Sequence, residues 1–349
     1  MSALTEALVL EALKTVNDPE LHKDLVSLGM VEKIVVDGAK VAVKINLTTP
    51  ACPLKGQIEG EVRSAISKIG ATETEVHFGA QVRAPQNLPL PGIKHIVAIA
   101  SGKGGVGKST AAANLAIALA QDGASVGLLD ADIYGPSQAH MFGTQGSKLM
   151  VDEQKRMVPL ERHGIKLISI ANIVPAGQAM VWRGPILHGT IKQFLQEAAW
   201  GALDYLIIDL PPGTGDVQLS LSQLTRLSGG LIVTTPQDVA RIDAERAVDM
   251  FKRVQVNILG VIENMSYFEL GGQKTYIFGQ GGGRKMAEHY QTTFLGEIPI
   301  ALSVREGGDS GVPVVVGAPQ SSEAEAFRQV ARKLAGQLSV QSYMLLPMA

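Results

Sequence analysis

The stretch SGKGGVGKST, Ser101–Thr110, decides how this chain is read. From Gly102 to Ser109 it fits G-x-x-x-x-G-K-[ST]. The apolar run HIVAIAS (95–101) precedes it, and a helical, alanine-rich pattern, TAAANLAIALAQ (110–121), follows. A strand, a glycine-rich turn and a helix start, in that order, make a phosphate cradle. Gly102, Gly104, Gly105 and Gly107 let the backbone N–H groups, that of Val106 included, turn inward onto phosphate oxygens. The helix N-terminus adds partial positive charge. The pattern assigns Lys108 to the β- and γ-phosphates and Ser109 to Mg²⁺, with Thr110 at the α-phosphate. A glycine-rich turn without a ligand is the competing reading, and the flanking strand and helix weigh against it. One lysine is enough to hold a phosphate, so the second, Lys103, needs its own account.

Two more strand ends supply acids. GLLDADIYG (127–135) carries Asp130 and Asp132, and YLIIDLPPGTGD (205–216) carries Asp209 at the end of an apolar run. A carboxylate placed so resembles the acid that holds Mg²⁺ beside a phosphate loop. Gly213, Gly215 and Asp216 follow in a loop suited to sensing a γ-phosphate. The bland reading of one such acid is a solvated strand cap. Three acids at two strand ends, together with the loop, favour a cation site.

Around this centre, apolar runs alternate with helical patterns from residue 94 onward. Candidate strands are 95–101, 124–133, 165–173, 203–212, 229–236, 257–266 and 293–300; helical patterns include 109–121, 185–199 and 241–255. Several of the runs are continuous, as strands buried on both faces should be. The expected fold class is α/β: a mostly parallel sheet with helices on both faces, its ligands at the carboxyl ends of the strands. A small α+β unit precedes it over 1–80. There TEALVLEALKTV places Leu8, Ala12 and Val16 on one helical face, and Asp37-Gly38 marks a hairpin between two strands. Ile58, Val62, Ala65, Ile66 and Ile69 form a second helical face, and TETEVHF (72–78) reads as a last strand. Pro85, Pro89 and Pro91 make 81–93 an extended linker. The ATPase-type domain is expected over 94–340 and a tail over 341–349.

Of the 349 residues, 46% are hydrophobic and 18% charged, so a sizeable core is expected rather than disorder. The net charge of −2 advertises neither nucleic acid nor an anionic membrane as partner. The one cysteine, Cys52, excludes an intrachain disulfide and favours a reducing compartment. The N-terminus lacks a basic leader, and no apolar run approaches the ~20 residues of a membrane span. The cytoplasm is the expected location.

The string KGGVGKS resembles the deviant phosphate loop of the ParA/MinD/nitrogenase-iron-protein class. That resemblance implies that Lys103 reaches across a homodimer to the partner's phosphates, where an added cation stabilises transferring charge. A solvent-facing lysine is the alternative. The same resemblance has Asp132 orient the attacking water, Asp130 and Asp209 support Mg²⁺ through water, and Asn264 face the adenine, with Pro299-Ile300 nearby. A strand-end turn residue is the other reading of Asn264. ASGKGGVGKST, LLDADIYGPS, VWRGPILHGTIKQFL, YLIIDLPPGTGD, TTPQDVA, ENMSYF and IFGQGGG occur in this order. Together they resemble the Mrp/ApbC family of ATPases, over roughly 94–335, and the first unit resembles the small domain found in iron–sulfur assembly factors. The resemblance implies an ATP-hydrolysing, nucleotide-gated homodimer that carries iron–sulfur clusters, with assembly factors and apoproteins as partners.

One departure bears on the cargo. Such ATPases usually carry C-x-x-C just after MSYF, where paired thiolates from two subunits would hold a cluster; four sulfur ligands suit [4Fe–4S]. Here Glu269–Gln273 stand in that place. Cys52, in TTPACPLKG, is the remaining cluster-ligand candidate, with Asp18, Glu20, His22 and His77 as possible supplements. A thiol near a helix start can be acidified; the alternative is a small packing residue. A positioning ATPase of the MinD/ParA kind and a non-enzymatic nucleotide-gated adaptor are the competing functions. Elsewhere Trp182 and Trp200 read as packing residues, and Phe327, Val330, Ala331, Leu334 and Leu338 as the buried stripe of a C-terminal helix.

Overall fold

The computed structural model describes residues 4–82, 90–173, 184–213 and 215–344. Pro85, Pro89, Trp182 and residues 345–349 lie outside them. Contacts divide the chain into two units, Met1–Gln86 with Ala335–Ala349, and Asn87–Leu334.

In the first unit, α1 (Glu6–Leu13) starts at Thr5, whose hydroxyl accepts the Leu8 N–H. Strands β1 (Val31–Asp37) and β2 (Lys40–Leu47) form an antiparallel hairpin closing at Asp37↔Lys40. Helix α2 (Lys55–Lys68) then returns the chain so that β3 (Glu73–Ala80) pairs parallel to β2. The core gathers Val43, Ile45, Ile58, Val62 and Ile66, and each such side chain stabilises the fold by about 1.5–3 kcal/mol. The buried face of α1 differs in part from the expected one: Val16 is buried as expected, but Val9 and Leu13 are buried in place of Leu8, which is 41% exposed. From Ala335 the C-terminal helix groups with this unit rather than with the domain expected to run to 340, and Tyr343 packs against its core.

The second unit is built on one eight-stranded sheet. Its strands are β4 (Ile93–Ala100), β5 (Val126–Asp130), β6 (Leu160–Arg162), β7 (Ile165–Ser169), β8 (Leu203–Asp209), β9 (Gly229–Thr234), β10 (Ile258–Glu263) and β11 (Phe294–Glu297). They run in the order β6-β7-β5-β8-β4-β9-β10-β11, all parallel except the edge strand β6. Every residue of β5 and β9 is buried, as the continuous apolar runs required of strands covered on both faces. The helices between them include α3 (Lys108–Gln121), α4 (Gly184–Gln196), α5 (Asp216–Leu224), α6 (Asp238–Arg253) and α7 (Gly282–His289). Trp200 is a packing residue, 3% exposed, its indole N–H donating to the Phe194 carbonyl at 2.8 Å. The C-terminal helix, α8 (Ser322–Met344), buries its whole expected stripe. Arg332 on it grips the Asp122 carboxylate through two nitrogens, at 2.9 and 3.0 Å.

Parallel pairing places all the carboxyl strand ends at one edge. The register Asp209↔Asp130 makes those two acids neighbours, and Ser169↔Asp130 adds a hydroxyl beside them.

Candidate nucleotide and cation site

The loop between β4 and α3 wraps back on itself. Gly105 and Gly107 both have φ of 81°, a left-handed conformation that costs a side-chain-bearing residue about 1–2 kcal/mol. Two further constraints require glycine. A Cβ on Gly102 would lie 2.0 Å from the backbone of Asp243 in α6, and one on Gly107 would lie 2.0 Å from the Asn264 side-chain nitrogen. Ser101 Oγ donates to the Lys103 carbonyl at 3.0 Å, and Gly213 N–H donates to the Ser101 carbonyl at 3.0 Å. The loop after β8 is thereby tied to the base of the phosphate loop.

Lys108, 6% exposed, is the first helical residue of α3. Its ammonium donates to Asp209 Oδ1 at 2.5 Å and lies 3.4 Å from Asp132 Oδ2 and 3.3 Å from Ser109 Oγ. Lys108, Ser109, Asp132 and Asp209 thus converge at one point of the edge. A buried acid without a partner would be costly, and here the lysine compensates. Burial raises the Asp132 carboxyl above the usual range; Lys108 works against the rise and Asp209 adds to it. Oxygen donors of this kind suit Mg²⁺, a hard cation. The cradle, which requires glycine at 102, 105 and 107, and this donor set fit a nucleotide phosphate chain with Mg²⁺.

Asp130 is tied into the fold through both of its oxygens. Its Oδ1 accepts the Asp132 N–H at 3.2 Å, and its Oδ2 accepts the Gln138 N–H at 3.1 Å and the Ser169 hydroxyl at 2.8 Å. Both oxygens therefore organise the loop that follows β5. Complete burial, with the neighbouring Asp209 charge, pushes its carboxyl up to about 7.

Asn264 is buried at 6% and donates its side-chain N–H to the Val106 carbonyl at 2.8 Å. In this position it braces the phosphate loop. Thr110 lies one residue past Ser109 on α3, and Asp216 opens α5, its side chain outside the described residues. Lys103 differs from Lys108: it is half-buried, and among the described residues no carboxylate pairs with it.

Two residues of this edge escape a reading of the sequence. Gln138 is fully buried, and Nε2 of its side chain donates to Asp209 Oδ2 at 2.8 Å and to the Ser109 carbonyl at 3.0 Å. Glu263, 0% exposed, accepts the Ser266 hydroxyl and the Gly283 N–H, each at 2.6 Å, anchoring the start of α7. A lone glutamine and a strand-end glutamate carry no spacing signal.

After MSYF, Phe268–Leu270 and Gln273–Thr275 form a hairpin around Gly271-Gly272, both at positive φ. Glycine–glycine is the turn that such a two-residue hairpin demands. Cys52 packs against the core of the first unit. Burial pushes its thiol up to about 11, with Glu20 and Asp18 adding to the rise, so the expected acidification does not occur. Backbone N–H groups at the start of α2 oppose the shift, but desolvation of the thiolate outweighs them. Asp18 instead accepts the Glu20 and Leu21 N–H groups, both at 2.9 Å. Among the described residues, no group of three or more His, Cys, Asp or Glu is placed to hold a metal ion.

A thiol with a pKa of about 11 is about 0.1% thiolate at pH 8, against roughly a tenth or more for an ordinary cysteine. Iodoacetamide is therefore expected to label Cys52 in the native protein about 100-fold more slowly at pH 8 than in the urea-unfolded chain. The native rate should climb as pH rises towards 11. Equal native and unfolded rates by mass spectrometry would contradict the buried, neutral thiol.

Comparisons with known proteins bear on both units. The family profile described as ParA, NUBPL iron-transfer P-loop NTPase, matches residues 92–335. The profile described as iron-sulfur cluster assembly protein matches residues 6–78. An iron-sulfur cluster carrier protein of Deinococcus radiodurans is 58% identical over 342 residues, covering 97% of each chain. One of Synechocystis is 45% identical over 348 residues, covering 97% of this chain and 99% of its own. Among solved structures, a nucleotide-binding protein of Archaeoglobus fulgidus in complex with ADP is 41% identical, with a TM-score of 0.57, over 64% of this chain and 88% of its own. MinD of Pyrococcus horikoshii, complexed with Mg-ADP, is 22% identical with a TM-score of 0.52, over 68% of this chain and 94% of its own; that likeness is one of fold.

Proposed function

The chain belongs to the family of NUBPL iron-transfer P-loop NTPases, and we propose that it binds and hydrolyses ATP as a homodimer and carries iron–sulfur clusters to apoproteins. The observation that carries the nucleotide reading is the Lys108 ammonium, buried between Asp209 and Asp132 at the mouth of a glycine-rich loop. In this reading the loop N–H groups and Lys108 bind the β- and γ-phosphates. Ser109, and Asp209 through water, would hold Mg²⁺, which when bound would supply positive charge against the transferring phosphoryl group. Asp132 orients water for attack, and Asp130 fixes the loop on which Asp132 sits. Lys103, without a carboxylate partner among the described residues, delivers its charge to the other subunit's phosphates. The cargo reading rests on the relatives named iron-sulfur cluster carrier proteins and on the assembly-protein match over the first unit. No described helix is long and apolar enough to cross a membrane, and we place the protein in the cytoplasm, with assembly factors and apoproteins as partners.

A second reading, a nucleotide-gated adaptor that recruits assembly partners, is favoured by one observation. Each chain has one cysteine, half-buried in the first unit, and a glycine hairpin stands where a cysteine pair would be. Anaerobic reconstitution with iron and sulfide separates the two. The carrier reading expects bound iron and sulfide in the wild type and their loss in Cys52→Ala. Absence of iron from both proteins, with ADP uptake intact by calorimetry, would leave the adaptor.

A further inference from the structure

Gln138 connects three parts of the site at once. Its backbone N–H donates to Asp130 Oδ2, and its side-chain Nε2 donates to Asp209 Oδ2 and to the Ser109 carbonyl. Both side-chain partners are acceptors, so only the NH₂ end of the amide suits them, and the orientation of the group is fixed. That leaves Oε1 on the other arm of the same amide. It is buried and has no hydrogen-bond partner among the described residues, in a side chain that is 0% exposed. A buried acceptor without a donor carries a desolvation penalty, and such an atom in a native fold calls for an explanation.

The surroundings restrict the missing donor. Asp209, Asp130 and Asp132 crowd this edge with acceptor oxygens, and the nearby ammonium of Lys108 is already shared by Asp209 and Asp132. A water on a divalent cation is a strong donor, and Mg²⁺ keeps several of its waters when bound. We propose that Gln138 is a positioning residue for the hydrated divalent cation: Nε2 fixes the Asp209 carboxylate, and Oε1 accepts from a cation-bound water.

The clamp has a geometric consequence. Asp209 gives Oδ1 to Lys108 and Oδ2 to Gln138. Without Gln138 the Asp209 carboxylate is free to turn away from the place where a cation would sit, while its contact with Lys108 remains. Because Gln138 also holds Asp130, the loop from Ala131 to Ser137 shifts only together with the cation site. This inference rests on the reading of the loop as a magnesium–nucleotide site.

The test uses Mn²⁺ as the probe, titrated by electron paramagnetic resonance into the full-length protein loaded with ADP. For Gln138→Met, close in size but unable to hydrogen-bond, Mn²⁺ affinity is expected to fall about tenfold, the scale of one lost hydrogen bond to a charged group. ADP affinity measured in EDTA is expected to stay within about twofold of wild type. A purely structural role would weaken both together. Gln138→Asn, which keeps the amide one methylene short, gives the same reading if the methionine variant does not fold. Mn²⁺ affinity unchanged in the variants, or ADP affinity falling in parallel without metal, would overturn the proposal. A wild type that takes up no ADP would instead overturn the nucleotide reading on which it stands.

Discussion

Lys103→Ala is expected to lower the steady-state ATPase rate by roughly 10³–10⁵-fold, the worth of a cation delivered from a second subunit in related phosphoryl-transfer sites. That corresponds to about 4–7 kcal/mol of transition-state stabilisation. The effect should fall on turnover and spare ADP binding, because Lys108 and the loop N–H groups already hold the phosphates. Turnover per chain in the wild type should also rise with protein concentration until the dimer saturates. The structural basis is the contrast between the two lysines of one loop. Lys108 is paired with Asp209 and Asp132, while among the described residues Lys103 has no carboxylate partner. A variant that turns over at the wild-type rate, independent of concentration, would end the cross-subunit assignment.

Lys108→Ala is expected to act on both binding and stability. Two hydrogen bonds to charged phosphate oxygens, each about 1.5–3 kcal/mol, would be lost, weakening nucleotide affinity by roughly 10²–10⁴-fold. In the free protein the same change leaves Asp209, 0% exposed, without its cation. Removing one partner of a buried ion pair costs about 3–5 kcal/mol. For a domain of this size that lowers the melting temperature by roughly 10 °C. Millimolar Mg²⁺ should recover more of this loss in the variant than it adds to the wild type, since the cation takes up the uncompensated charge. A melting temperature indifferent to the substitution, read by calorimetry, would show that Asp209 and Asp132 are not held by Lys108.

Much of this site is legible in the amino-acid sequence. Gly102, Gly105, Gly107, Lys108 and Ser109 lie in one short segment whose chemistry depends on local backbone conformation, and local conformation is what a sequence encodes most directly. Asp130, Asp132 and Asp209 declare themselves by standing at the ends of apolar runs. Parallel strands bring such ends to one edge whatever their order in the sheet. The α/β alternation and the separate first unit follow from the same periodicities.

Other features depend on partners brought from far along the chain. Asp130 stands out in LLDADIYG as an acid at a strand end, but only the register with β7 and the return of the chain at Gln138 show that it also accepts the Ser169 hydroxyl and the Gln138 N–H. Asn264 finds Val106, 158 positions away, and the fit between its amide and Gly107 arises only when β10 lies beside β9 in the sheet. The thiol of Cys52 stands beside a helix start, which alone would acidify it, and packing against the first core reverses the sign. The sequence by itself determined the phosphate loop, its lysines and the class of fold, because those rest on short-range backbone geometry and hydrophobic period. Only the tertiary structure decided which acid faces Lys108, which acid ties the loop and where Gln138 sits, because desolvation and hydrogen-bond partnership are properties of the packed edge and not of any segment within it.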